Sequence, residues 1–265
     1  MFAVETRALC KSYGGRLVVN DFNMHVAAGE IYGFVGKNGA GKSTVMKMID
    51  SMVTPTSGEV LLYGDSIAHE TGTKIQATRR VGSLIEDPGI YPNMSALDNL
   101  MCKALALGIS DTKGRCVDIL RTVGLDVAAK TRVKKFSLGM KQRLGVGLAL
   151  LSSPDLLLLD EPFNGLDPEA TRDLRSLIET MNRTKGVTVV ISSHVLDQLD
   201  RIATSYGIIA SGHMVRELTA AQVDEECGDS LRIKVDSPER ALVFLQEKLP
   251  DLVFVMEPGN IIRAK

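Results

Sequence analysis

The chain has 265 residues, 45% of them hydrophobic, and a net charge of −1. It can bury a sizeable core as one large domain or two smaller ones, and without a Lys/Arg stripe it offers nucleic acid no electrostatic footprint. No run reaches the ~18 apolar residues of a membrane helix, since "LALLSSPDLLLLD" is broken by Ser152, Ser153, Pro154 and Asp155.

Short alternating runs open the chain: "AVETRAL", "LVVNDFNMHV", "EIYGFVG" and "EVLLYG", punctuated by Gly, Asn and Asp. They predict strands and hairpins. Glu5 and Arg7 interrupt any charged-then-apolar leader, so none is expected. Between the third and fourth runs lies Gly36–Ser43, "GKNGAGKS", which satisfies the phosphate-loop pattern between a predicted strand and a predicted helix. The glycines let backbone N–H groups turn inward around a phosphate, and the helix N-terminus adds a favourable dipole. Gly36, Lys37, Asn38, Gly39, Ala40, Gly41, Lys42, Ser43 and Thr44 are therefore candidate nucleotide contacts. Lys42 is expected to reach the β- and γ-phosphates, and the Ser43 hydroxyl to ligate Mg²⁺. The bland alternative is a Gly-rich turn without a ligand. The helix itself is predicted over Lys42–Met52, with Val45, Met48, Ile49 and Met52 on one face.

"GSLIEDPGIYPN", Gly82–Asn93, runs apolar to Ile85 and stops on Glu86 and Asp87 before a Pro-Gly turn. These acids are either a solvated loop tip or are placed to meet a cation. From Pro88 to about Leu151 the pattern turns helical, with Ser95 and Asp111 as predicted N-caps. Ser137 in "SLGMKQR" precedes a helix-compatible run, so its hydroxyl and the N–H groups beyond it form a potential anion site.

"LLLLD", Leu156–Asp160, predicts a strand buried on both faces of a parallel sheet, and "VTVVISSH" a second. An acid at such a tip suits the other half of an ATPase site. Asp160 is expected to hold Mg²⁺ through water and Glu161 to polarise the attacking water. From about Asp229 the order strand, helix, strand, strand suggests a small appended lobe, which caps the sheet or pairs with its copy. Cys10, Cys102, Cys116 and Cys227 lack metal-ligand spacing and are expected to be reduced thiols.

Over Met1 to Glu217 the order of these motifs resembles the ATP-binding subunits of ABC transporters. Tyr13 in "KSYGG" stands where that family stacks adenine on an aromatic ring, and "SLGMKQR" where it carries "LSGGQ". "NGLD", Asn164–Asp167, matches the D-loop, and "SSH" sets His194 at the switch histidine. The resemblance implies an α/β fold: a P-loop NTPase (RecA-like) core with an antiparallel β subdomain. A helical subdomain at 88–151 would lie within an ATP-binding domain at 1–217, and 218–265 would form a small C-terminal α+β lobe. It implies ATP and Mg²⁺ as ligands, with Glu161 and His194 catalytic. Two copies, or one copy and a homologous subunit, would face head to tail, with Ser137 and Gly139 of one closing on the nucleotide of the other. A separate membrane permease would hold the complex on the inner face of the cell membrane, and nucleic acid would have no part.

Two departures narrow the resemblance. Leu138 and Met140 stand where the common signature has Gly and Gln, while Ser137 and Gly139 remain. Glu86 replaces the usual Q-loop Gln, as in the bacitracin-resistance and lantibiotic-immunity branch, where it is implied to reach Mg²⁺ and the lytic water. An exporter of a peptide antibiotic or similar amphiphile is the expected function. Export of a drug, lipid or ion, or a non-transport ATPase role, are the alternatives.

Overall fold

The computed structural model describes residues 1–67, 80–227, 231–250 and 254–264. The lobe start at Asp229, the first two residues of the strand expected at Leu252 and the terminal Lys265 lie outside them, as does the Cys227 side chain.

Alternation in the first sixty residues produces an antiparallel sheet. Strands β1 (Phe2–Tyr13) and β2 (Arg16–Ala27) form a hairpin around Gly14 and Gly15, both at positive φ, as a tight two-residue turn requires. Strands β4 (Ser57–Leu62) and β5 (Asp65–Ser66) complete the order β2-β1-β4-β5. The second sheet contains β3 (Ile31–Val35), β6 (Val81–Leu84), β7 (Leu156–Asp160), β8 (Thr188–Ser193), β9 (Ser205–Ala210) and β10 (His213–Thr219), in the order β10-β9-β3-β8-β7-β6. From β6 to β9 the pairings are parallel. Every residue of β7 is buried, which explains its unbroken apolar run. This parallel arrangement sets the ends of β3, β7 and β8 side by side.

Helix α1 spans Lys42–Ile49 and stops three residues short of the expected Met52. Ser51 takes a left-handed φ of +60°, and the N–H groups of Ser51 and Met52 return to the Met48 and Lys47 carbonyls. That is a Schellman closure with serine in glycine's usual place, and it leaves Met52 exposed. Helices α2 (Ala96–Ala106) and α3 (Thr112–Thr122) begin on the two predicted caps. Ser95 and Asp98 form a full capping box, and Asp111 accepts from the Gly114 N–H. Helix α4 (Leu138–Ala149) starts from Ser137. Helix α5 (Pro168–Lys185) is absent from the sequence reading, although its signals are plain: Asp167 as N-cap, Pro168 in the first turn and Gly186 at φ +65° beyond the end.

The chain divides into two compact units, Met1–Glu217 and Leu218–Lys265. The second holds α6 (Ala220–Cys227), also not anticipated, then β11 (Leu231–Lys234), α7 (Pro238–Lys248), β12 (Phe254–Glu257) and β13 (Ile261–Ala264). Its antiparallel sheet has the order β11-β13-β12, with Ile262 and Ala264 buried.

Candidate nucleotide-binding and hydrolysis site

The loop from Gly36 to Gly41 leaves the end of β3 and turns directly into α1. Gly39 and Gly41 have φ of +79° and +112°, conformations that side chains other than glycine rarely adopt. A Cβ on Gly36 would fall 2.5 Å from the Ile209 carbonyl, so the loop hugs β9 only because glycine is there. Lys42 is the buried cation of the site, 6% exposed; its Nζ donates to the Gly36 carbonyl at 2.6 Å and more weakly to Lys37 at 3.4 Å. In front of it opens a cavity of about 240 Å³, lined by Asn38, Gly39, Gly41, Lys42, Ser43, Thr44 and Glu161 among others.

The two predicted acids arrive from β7. Asp160 is buried at the strand tip, and Ser192 of the neighbouring β8 donates to its Oδ1 at 2.5 Å. Glu161 follows at φ +47°, a left-handed turn that sends its side chain away from the direction the strand would give it. Its Oε2 lies 2.8 Å from His194 Nδ1. Its Oε1 is buried 3.2 Å from Lys42 Nζ, an ion pair without hydrogen-bond alignment, so this oxygen has no donor of its own. Lys42 and Glu161 thus line one cavity with Ser43 and Thr44, and His194 is joined to it through Glu161.

These oxygens fit Mg²⁺. Among the described residues no group of three or more His, Cys, Asp and Glu side chains forms a metal cage. Mg²⁺ needs none: it is ordinarily held by one or two protein oxygens, water and substrate phosphates. The Ser43 hydroxyl on the cavity wall and the Asp160 carboxylate, whose Oδ1 is engaged by Ser192, are hard-oxygen donors of that kind.

Four predicted residues lie apart from this cluster. Tyr13 is at the exposed β1–β2 turn, 47% accessible, with the Lys11 ammonium 5.0 Å from its ring centre. Ser137 is exposed and spends its hydroxyl on capping α4, accepting from the Met140 N–H. Gly139 is buried, and a Cβ there would meet that of Ala170 at 2.8 Å, so it serves the close approach of α4 to α5. Glu86 is not among the residues lining the phosphate-loop cavity. It sits at φ +61° with its side chain 64% exposed and pairs with Lys47 on the outer side of α1. Beside it runs a groove of about 410 Å³ lined by Glu86, Pro88, Pro92, Leu138, Lys141 and Gln142 among others. Gln142 turns a buried Oε1 toward no donor.

Sequence reasoning missed Ser192 and Lys47. A polar pair closing the apolar run "VTVVISS" was the available signal for Ser192; for Lys47, a half-buried lysine on a helix, there was none. One residue past α1, burial pushes the Asp50 carboxyl above the usual carboxylate range, opposed by a hydrogen bond from Ser83 and by the charge of Lys103. The same burial lowers Lys103.

The family profile described as "ABC transporter" matches residues 19–164. The bacitracin transport ATP-binding protein BcrA of Bacillus licheniformis is 36% identical over 98% of this chain and 84% of its own length. The lantibiotic transport ATP-binding protein SrtF of Streptococcus pyogenes is 42% identical over 79% of this chain and 87% of its own. Among solved structures, an ATP-binding subunit of an ABC transporter superposes with a TM-score of 0.73 at 28% identity, covering 92% of this chain and 99% of that one. The cbiO1 protein of Clostridium perfringens reaches 0.78 at 21% identity, over 94% and 96%.

Proposed function

The chain belongs to the ABC transporter ATP-binding family and is an ATPase, and from that premise we propose that it drives export of a peptide antibiotic or similar amphiphile through a separate permease. One observation carries the hydrolytic part: a single carboxylate, Glu161, bridges the phosphate-loop Lys42 and His194 at the mouth of the loop. A phosphate arriving at Lys42 competes with Glu161 for the ammonium. Glu161 then keeps His194 as its partner and turns Oε1 to a water, taking its proton as the water oxygen bonds the γ-phosphorus and the bond from that phosphorus to the β–γ bridging oxygen breaks, with ADP leaving. The glycine-shaped loop and Lys42 hold the phosphates, and Ser43 with Asp160 would hold Mg²⁺. Bound there, Mg²⁺ would offset charge on the β- and γ-phosphates.

Met1–Glu217 is read as the ATP-binding domain. Adenine stacks on the exposed Tyr13, and Ser137 with the first turn of α4 closes on the nucleotide of a second copy in a head-to-tail dimer. The helix N-terminus supplies N–H donors for that contact, and the exposure of Ser137 leaves it accessible. No helix among the described residues is long and apolar enough to cross a membrane, which supports a pathway supplied by another chain and a peripheral position on the membrane's inner face. The peptide-antibiotic substrate class is supported by the relatives' names and by an acid, Glu86, at the loop position.

Antibiotic susceptibility tests the proposal. Cells expressing the chain with its permease should survive more bacitracin or lantibiotic than cells carrying Lys42→Ala. Equal susceptibility, with equal protein levels, would reject the substrate class while leaving the ATPase intact.

A further inference from the structure

We infer that Ser192 is a positioning residue for hydrolysis, orienting both acids of the site through one hydroxyl. The inference deepens the ATPase reading and rests on it. Ser192 is the last residue but one of β8, fully buried, and in the parallel register it stands directly beside Asp160. Its Oγ accepts the Glu161 backbone N–H at 2.8 Å and donates to Asp160 Oδ1 at 2.5 Å. A hydroxyl has one proton to give. Committed to Oδ1, that proton leaves Asp160 Oδ2 as the oxygen free for other partners, in a fixed plane.

The second bond matters as much. Glu161 is not glycine, yet it holds φ +47°, a conformation that costs a residue with a Cβ and persists only where the surroundings impose it. The N–H to Ser192 Oγ bond is one anchor of that turn, and the His194 contact of the side chain is another, from one residue past the same strand. An apolar residue at 192 would leave a buried N–H and a buried carboxylate oxygen without these partners. Asp160 would then choose its own rotamer, and Glu161 could relax toward strand geometry, drawing its carboxylate off Lys42. Ser193, the next residue, makes no such contact: its hydroxyl serves the Val195 backbone and Gln198.

The test compares Ser192→Ala with wild type and with Ser193→Ala in the full chain. For Ser192→Ala, kcat should fall roughly tenfold to a hundredfold while the KM for ATP stays within about threefold, as expected when a group aligned for the transition state is disturbed. A second readout needs no turnover. The gain in affinity for ATP on adding Mg²⁺, measured by calorimetry, should shrink in Ser192→Ala and should shrink no further when the alanine is added to Asp160→Ala, because this readout runs through Asp160, whereas the Glu161 arm is read in kcat. Should the alanine protein not fold, Ser192→Cys, close in volume but a weak donor, takes its place. Wild-type kcat and an undiminished Mg²⁺ effect would overturn the inference, as would a loss of that Mg²⁺ gain equally large in the Asp160→Ala background. A wild-type chain that neither bound nor hydrolysed ATP would instead defeat the ATPase reading itself.

Discussion

Lys47→Met removes the cation that holds Glu86 on the outer face of α1. The pair is close, 2.5 Å, but Glu86 is 64% exposed and Lys47 26%, so water screens it. Exposed pairs of this kind contribute about 0.2–1 kcal/mol, a factor of roughly 1.4 to 5 in population. Against it stands the left-handed backbone of Glu86, which costs a non-glycine residue on the order of 1–3 kcal/mol. The pair offsets at most part of that strain, so a modest push moves this loop. If Glu86 must leave Lys47 to reach the nucleotide, Lys47→Met should raise basal ATP turnover by a factor of roughly 1.4 to 5 and lower the Mg²⁺ concentration giving half-maximal rate. A coupled-enzyme ATPase assay over an Mg²⁺ series reads both. The same substitution in a Glu86→Ala background should do nothing, and Asp87→Asn should be nearly silent. An equal effect of Lys47→Met with and without Glu86 would refute the reasoning and return this carboxylate to the solvated surface.

Further outcomes follow from the same geometry. Glu161→Gln keeps the contact with His194 in shape and loses the base, so ATP should bind while hydrolysis falls ~10²-fold or more, and the protein should accumulate as an ATP-held dimer on size exclusion. Mixing Ser137→Arg with Lys42→Ala chains leaves one composite site intact, so ATPase activity should partly recover over either mutant alone; no recovery, with mixed dimers shown to form, would oppose a shared site. Asp50→Asn should raise the melting temperature near pH 8. Burial holds the Asp50 carboxyl above its ordinary range, so it favours the fold while protonated and loses that contribution as pH rises through the folded value; the advantage of Asn over Asp should therefore fade as pH falls into the ordinary carboxylate range.

Much of the fold was legible because it is written in local patterns. The buried run of β7, the alternation of β1 and β2, and the caps Ser95 and Asp111 each encode their element within a few residues. The end of α1 was not, since Ser51 closes the helix in a conformation usually left to glycine. Of the residues singled out by motif spacing, Lys42, Ser43 and Glu161 line one cavity, and His194 meets Glu161 beside it. What spacing does not carry is pairing across strands or along the back of a helix. Ser192 meets Asp160 because β7 and β8 run in parallel register, and Lys47 meets Glu86 through chain separated by 39 positions. Nor does spacing carry close packing: a Cβ on Gly139 would crowd Ala170 of the neighbouring helix.

The proposal stands or falls on whether this ATPase works with a membrane partner. Tagged Glu161→Gln chain, held with ATP and affinity-purified from native membranes, should bring down a polytopic membrane protein in near-stoichiometric amount, and Lys42→Ala should bring down markedly less. Recovery of ribosomes or DNA in its place, with no membrane protein, would contradict a role in transport.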